Sequence, residues 1–242
     1  MAIVLHRFPL SHFSEKGRAL LAYKRVDYRI EEHRLGLPQL RIRRLSGQRK
    51  LPVIEHDDRV VADSTAIGLY LDEQFPEPAL LPKDPERRRE VLELEDRIDH
   101  VFGKYAPVVW FDWLVRERPR DVARLIAAEV AGVGRGRLAG LAVSPLMRLP
   151  PARRIVEKSE ARTRAMLSEL TERLSRSRYL TGEVPTLADI AAAALPLHLE
   201  FPNYRELAIP DWAGMGVPGY ADSPEFARFF EWRRALYREL LA

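Results

Sequence analysis

Lys50-Leu51-Pro52-Val53-Ile54, and after a polar turn Val60-Val61-Ala62-Asp63-Ser64-Thr65-Ala66-Ile67, is the stretch on which the fold turns. Pro52 suits the first position of a short strand, because a proline there removes no ladder donor. Residues 59–61 read as a second strand, antiparallel to the first across the tight turn at Asp57-Asp58. Asp63 and Ser64 then open an apolar helix over residues 64–74, with Ile67, Tyr70 and Leu71 on one face. A carboxylate, a hydroxyl and free helix N–H groups meet at that corner. Together they can hold the ammonium and the carboxylate of an amino-acid-like ligand.

Upstream, residues 3–8 are a short apolar strand ended by Pro9. Ser11 and Ser14 precede a helical run containing Leu20, Leu21 and Tyr23, with Ser11 as the cap. Residues 27–31 read as a second strand, and residues 40–45 as a weak helix. The order is βαβ, a helix, ββ and a helix, which requires a parallel pair and an antiparallel pair in one sheet. Residues 75–82 hold three prolines and little periodicity, which places a domain boundary between residues 1–80 and 88–242. Beyond it the periodicity is helical. One long helix is expected from Glu86 to about Asp112, then helices at 121–130, at 151–176 with Ile155, Ala165 and Met166 inward, at 186–199 and at 223–240.

Bulk properties narrow the function. The 242 residues contain no cysteine, so disulfides, thiolate metal sites and a cysteine nucleophile are excluded. The 39 basic and 35 acidic residues are interspersed, as in Asp84-Pro85-Glu86-Arg87-Arg88-Arg89-Glu90, which describes solvated helix faces and not a nucleic-acid surface. No apolar run nears the roughly 18 residues of a membrane span, and residues 1–8 lack a cleavage-like pattern, so no signal peptide is expected and the expected location is cytoplasmic. Gly132-Val133-Gly134-Arg135-Gly136-Arg137 lacks the Gly-Lys-Ser/Thr ending of a phosphate loop and reads as a connector, followed by an irregular apolar segment over 138–149.

Thr186-Leu187-Ala188-Asp189-Ile190 begins a buried helix, with Thr186 and Asp189 spaced for reciprocal capping. That feature, the Leu51-Pro52 strand start and the Asp63-Ser64 helix start together resemble the glutathione transferases. The resemblance implies an α/β plus all-α chain: a thioredoxin-like N-terminal domain that binds glutathione, followed by an all-helical C-terminal domain. It further implies a cis Leu51-Pro52 bond that frees the Leu51 backbone to pair with the cysteinyl unit of glutathione. Asp63 would take the γ-glutamyl ammonium, Ser64 the adjacent carboxylate, and Lys50 a glutathione carboxylate.

Where thioredoxin relatives carry Cys-x-x-Cys, this chain has Ser11-His12-Phe13-Ser14. The likeness to serine-type classes such as tau and zeta makes Ser11 the residue expected to activate the thiol, with Ser14 as the alternative. No tyrosine lies in the first strand and no cysteine at position 11, so the tyrosine-type and thiol-transferring classes do not fit. His12 stands where the family commonly has proline and is expected to be a surface histidine. Ser46-Gly47-Gln48-Arg49 lacks the family's frequent Asn-Pro. The implied activity is attack of the glutathione thiolate on a small electrophile or a peroxide, in a homodimer, with glutathione as co-substrate, no metal, no nucleic acid and no membrane span. Tyr105, Trp110 and Trp113 would line the electrophile cleft or belong to the core. The alternative is a member that binds glutathione or a protein partner without catalysis.

Overall fold

A computed structural model describes residues 3–33, 39–129, 149–203 and 212–241. The glycine-rich segment and the apolar stretch through residue 148 lie outside the described residues. The N-terminal elements are β1 (Ile3–Arg7), α1 (His12–Tyr23), β2 (Tyr28–Glu32), α2 (Gln39–Ser46), β3 (Val53–His56), β4 (Arg59–Ala62) and α3 (Ser64–Gln74). The sheet order is β2-β1-β3-β4, with β1 and β2 parallel and the β1–β3 and β3–β4 pairs antiparallel. This is the mixed sheet that the strand order requires. Strand alternation sends Ile3 and Leu5 into the core shared with α1 and α3. Val4 and His6 face the opposite side, where α2 buries Ile42.

The rest of the chain is helical: α4 (Pro85–Lys104), α5 (Ala106–Glu117), α6 (Pro119–Glu129), α7 (Pro150–Arg176) and α8 (Leu187–Ala194). A 3-10 turn at Leu195–His198 extends α8, and α9 (Ala227–Leu236) follows a second such turn at Pro224–Phe226. The fold is thus a thioredoxin-like unit plus a helical one. Every residue of α8 is buried, and the helix packs against both α1 and α4. Gly68 lets α3 approach α8 closely: a Cβ there would lie 2.8 Å from Leu187 Cδ1 and force that buried side chain to shift.

The Thr186–Asp189 cap forms as expected. The Asp189 carboxylate accepts from the Thr186 N–H and hydroxyl, both at 2.8 Å, and from the Leu180 N–H at 2.8 Å. Burial nevertheless pushes its pKa up to about 6, against the pull of those donors.

Two expectations need correction. The single helix over residues 86–112 is two helices that meet at Tyr105. The cause is Pro107, which has no N–H to give the Gly103 carbonyl and cannot continue α4 without a clash. In α7, Ile155 is 58% exposed and Ala165 is also exposed, while Met166 is buried. The inward face runs through Val156, Ser159, Thr163, Met166, Leu167, Leu170 and Leu174, one residue out of phase with the Ile155 reading.

Candidate functional site

A cavity of about 180 Å³ brings Lys50, Leu51, Pro52, Asp63 and Ser64 together and adds Phe13 and Gln48 to its wall. All five residues read from the sequence as candidate ligand contacts therefore line one cavity. A larger cavity of about 460 Å³ lies between Glu200–Asn203 and Arg233–Arg238 and contains none of them. Volume alone does not choose between the two, and the chemistry of the smaller one does.

The Leu51–Pro52 bond is cis. Because the β3 ladder starts at Val53, the Leu51 backbone lies outside it and can pair with a ligand. Gly17 on α1 packs closely behind Pro52: a Cβ there would meet Pro52 Cβ and Cγ at 3.1 Å, tighter than ordinary contact. Asp63 sits at φ +84°, a region that non-glycine residues rarely adopt and that clusters at functional sites. Its Oδ1 caps α3 by accepting from the Thr65 N–H at 2.9 Å and the Ala66 N–H at 3.1 Å. Neither bond uses Asp63 Oδ2, the Ser64 N–H or the Ser64 hydroxyl. A cation and an anion side by side could use these groups.

Ser11 is the N-cap of α1, and its hydroxyl accepts from the Ser14 N–H at 3.2 Å. The Ser14 hydroxyl accepts from the Phe8 N–H at 3.2 Å and is almost fully buried. Each hydroxyl keeps its own proton to donate, but Ser11 is the more open of the two. Ser11 does not line the 180 Å³ cavity, although its near neighbour Phe13 does.

His12 is not a surface residue. Both ring nitrogens are buried, neither makes a hydrogen bond of good geometry, and the ring lies 4.5 Å from Phe13 and 5.2 Å from His198. Burial lowers its pKa to about 4, and the Gly103 backbone, relieved of its helical partner by Pro107, pulls part of the way back. His198 Nε2 lies 3.1 Å from the Leu10 carbonyl, and its ring sits 4.7 Å from Trp110 at a tilt of 41°. As the carbonyl can only accept, Nε2 carries the proton. Trp110 and Tyr105 belong to the core, while Trp113 is partly buried against it.

Sequence reasoning missed a charged network directly behind Asp63-Ser64. Lys16 is fully buried, pairs with Glu95, and reaches both oxygens of Asp99 at 2.7 and 2.8 Å. The Thr65 hydroxyl accepts from Lys16 Nζ at 3.1 Å and donates to Glu95 Oε1 at 2.6 Å. Burial is the main cause that raises Asp99 to about 6, with Lys16 opposing it. The network ties α1, α3 and α4 together beneath the cavity. Its one signal in the sequence is that Glu95 and Asp99 flank Ile98, next to the inward row of α4.

Comparison with known proteins agrees with the two-part fold. Residues 5–79 match the model of the glutathione S-transferase N-terminal domain, and residues 139–231 that of the glutathione S-transferase C-terminal domain. A probable glutathione S-transferase from Nicotiana tabacum is 26% identical over 231 residues, covering 93% of this chain and 79% of the relative. A probable maleylacetoacetate isomerase 1 from Drosophila melanogaster is 33% identical over 107 residues, covering 39% of this chain and 41% of the relative. Among solved structures, a glutathione S-transferase from Rhodospirillum rubrum F11 superposes with a TM-score of 0.70 at 22% identity, covering 99% of this chain and 90% of that one. FzlA from C. crescentus superposes with a TM-score of 0.67 at 21% identity, covering 100% and 90%. At such identities the superpositions speak to fold alone, whereas the two domain models together span more than half of the sequence. The chain belongs to the glutathione transferase family.

Proposed function

We propose that this protein is a serine-type glutathione transferase that binds glutathione in the Leu51–Ser64 cradle and delivers its thiolate to small, mostly apolar electrophiles. One observation carries the reading: the free Leu51 backbone, the uncommitted groups of Asp63 and Ser64, and Lys50 line a single cavity. The γ-glutamyl ammonium would meet Asp63, its carboxylate would meet the Ser64 N–H and hydroxyl, and the cysteinyl amide would pair with Leu51. Lys50, exposed at the rim, suits a glutathione carboxylate. The thiol would then point toward the start of α1.

Ser11 would donate a hydrogen bond to the sulfur, and the N-terminus of α1 adds a partial positive field. Lowering a thiol pKa from about 8.5 to about 6.5 needs only ~2.7 kcal/mol of differential stabilisation. A charge-assisted hydrogen bond and a helix end together supply that much. A homodimer, a cytoplasmic setting, a detoxifying role and a peroxidase side activity belong to the same reading. The competing reading is a member that binds glutathione and has no catalysis.

The test is retention on immobilised glutathione together with conjugation of a generic aryl halide, for the wild type, Ser11→Ala and Ser14→Ala. The expected result is retention by all three, with conjugation lost in Ser11→Ala by roughly 10- to 100-fold at neutral pH. Retention without conjugation in the wild type would select the binding-only reading. Loss in Ser14→Ala alone would move the activating role to Ser14.

A further inference from the structure

On the face of the sheet opposite α1 and α3, three strands bring together side chains that glutathione chemistry does not use. His6 on β1 pairs in register with Glu31 on β2, so both project from the same face, and His33 follows two residues beyond Glu31. Glu55 on β3 faces the same side, since its register partner is Val4. His6 is fully buried and His33 nearly so. His6 Nδ1 lies 2.9 Å from His33 Nε2, and the two Glu31 oxygens divide between them: Oε2 lies 3.9 Å from His6 Nδ1 and Oε1 lies 3.9 Å from His33 Nε2. One ligand atom from each of His6, Glu31 and His33 falls within 4.8 Å of the others.

We propose that His6 Nδ1, His33 Nε2 and a Glu31 oxygen form a zinc-class metal site, with a fourth position left to water. Two imidazoles and one carboxylate make a familiar donor set for Zn²⁺ in open tetrahedral geometry. Tetrahedral bonds of about 2.0–2.1 Å put neighbouring ligand atoms roughly 3.3 Å apart. The rings must therefore separate by about 0.5 Å, and one Glu31 oxygen, now within 4.8 Å of both nitrogens, must approach them by roughly 0.5 to 1.5 Å.

Two surrounding contacts support the assignment. His6 Nε2 lies 2.6 Å from Glu55 Oε1. A carboxylate accepts only, so that nitrogen carries the proton and Nδ1 presents its lone pair to the metal. A carboxylate behind a ligating imidazole is the usual orienting device of such sites. Arg41 on α2 contacts both Glu31 oxygens, closely at Oε1 and at 3.4 Å at Oε2, so metal binding keeps the closer contact and turns Oε2 to the metal. At present His33 Nε2 donates to His6 Nδ1. Binding moves that proton to His33 Nδ1, so the metal replaces a ring-to-ring hydrogen bond with no net proton released.

The experiment uses the full chain, stripped with chelator and free of glutathione. Zn²⁺ is titrated by calorimetry, and Co²⁺ by visible absorption. One saturable site with an intense tetrahedral Co²⁺ band is expected. Glu31→Gln and His33→Gln should each abolish both signals, and Glu55→Gln should weaken binding about 10- to 100-fold. His100→Gln, which removes an exposed histidine on α4, should change neither. Far-UV circular dichroism establishes that each variant is folded. Absence of a saturable 1:1 isotherm in the wild type would overturn the site. So would unchanged binding in folded His33→Gln or Glu31→Gln, which would assign the metal to scattered surface groups.

Discussion

Replacing Lys16 with methionine tests whether the network beneath the cavity is an electrostatic unit. Methionine keeps the length of the side chain and removes the charge. Glu95 and Asp99 are then left buried without their cation, since the wild-type Lys16 ammonium contacts both and also Thr65. Removing one partner from a buried ion pair costs about 3–5 kcal/mol, a large share of the ~5–15 kcal/mol that holds a domain folded. That cost must depend on pH, because Asp99 can relieve it by taking a proton.

In the wild type, burial raises Asp99 from 3.8 to about 6. The folded state thus binds more protons than the unfolded state between those values, and this group's contribution to stability falls as pH rises from 4 to 6, then levels off. Without Lys16 the folded-state pKa moves higher and the falling limb extends above 6. The gap between Lys16→Met and wild type should be smallest near pH 5.5 and widen by up to about 1.4 kcal/mol per pH unit above ~6, until Asp99 ionises in the variant. Urea unfolding of both proteins at about pH 5.5 and about pH 8 reads the gap directly. An equal gap at the two pH values would refute the coupling and reduce Lys16 to a packing residue.

Three further outcomes follow from the packing of α1, α3 and α4. A Cβ on Gly103 would lie 2.5 Å from Phe13 Cζ, so Gly103→Ala should cost about 1–3 kcal/mol by overpacking and, by displacing a wall of the cavity, weaken glutathione binding in calorimetry. Gly68→Ala, which crowds Leu187 at 2.8 Å away from that wall, should lose comparable stability with affinity unchanged. His12 and His198 both have pKa values lowered chiefly by burial, His12 to about 4. For a base lowered in the folded state, stability is complete above the unfolded value near 6.5 and is lost as pH falls toward the folded value. His12→Phe should therefore move the acid-unfolding midpoint, followed by tryptophan fluorescence, to lower pH, because up to ~3 kcal/mol of that loss belongs to His12. A midpoint unchanged or higher would contradict the burial of its ring.

What sequence could and could not disclose follows from where each interaction is encoded. The cradle was legible because its parts are local: a proline at a strand start, an aspartate and a serine at a helix start, and a Thr-x-x-Asp cap each carry a backbone rule in a few residues. The break at Pro107 obeys an equally local rule, but the apolar row continuing through Val109 and Trp110 hid it. The phase of α7 was ambiguous because Ile155 and Val156 are adjacent, and its true inward face includes the polar Ser159 and Thr163. His12 and Lys16 were opaque for a different reason. Each belongs to a residue type that usually faces water, and contacts from distant elements, α3, α4 and the turn after α8 among them, decide otherwise. The distinction bears on function. Backbone geometry at Leu51 and Ser64 can grip a peptide-like ligand without any charge. Lys16 with Glu95 and Asp99, by contrast, carries one net negative charge whenever Asp99 is ionised, just behind the first turn of α3. That charge would reinforce Asp63 in favour of a bound ammonium, so ligand affinity should follow Asp99 ionisation as well as the cradle's shape.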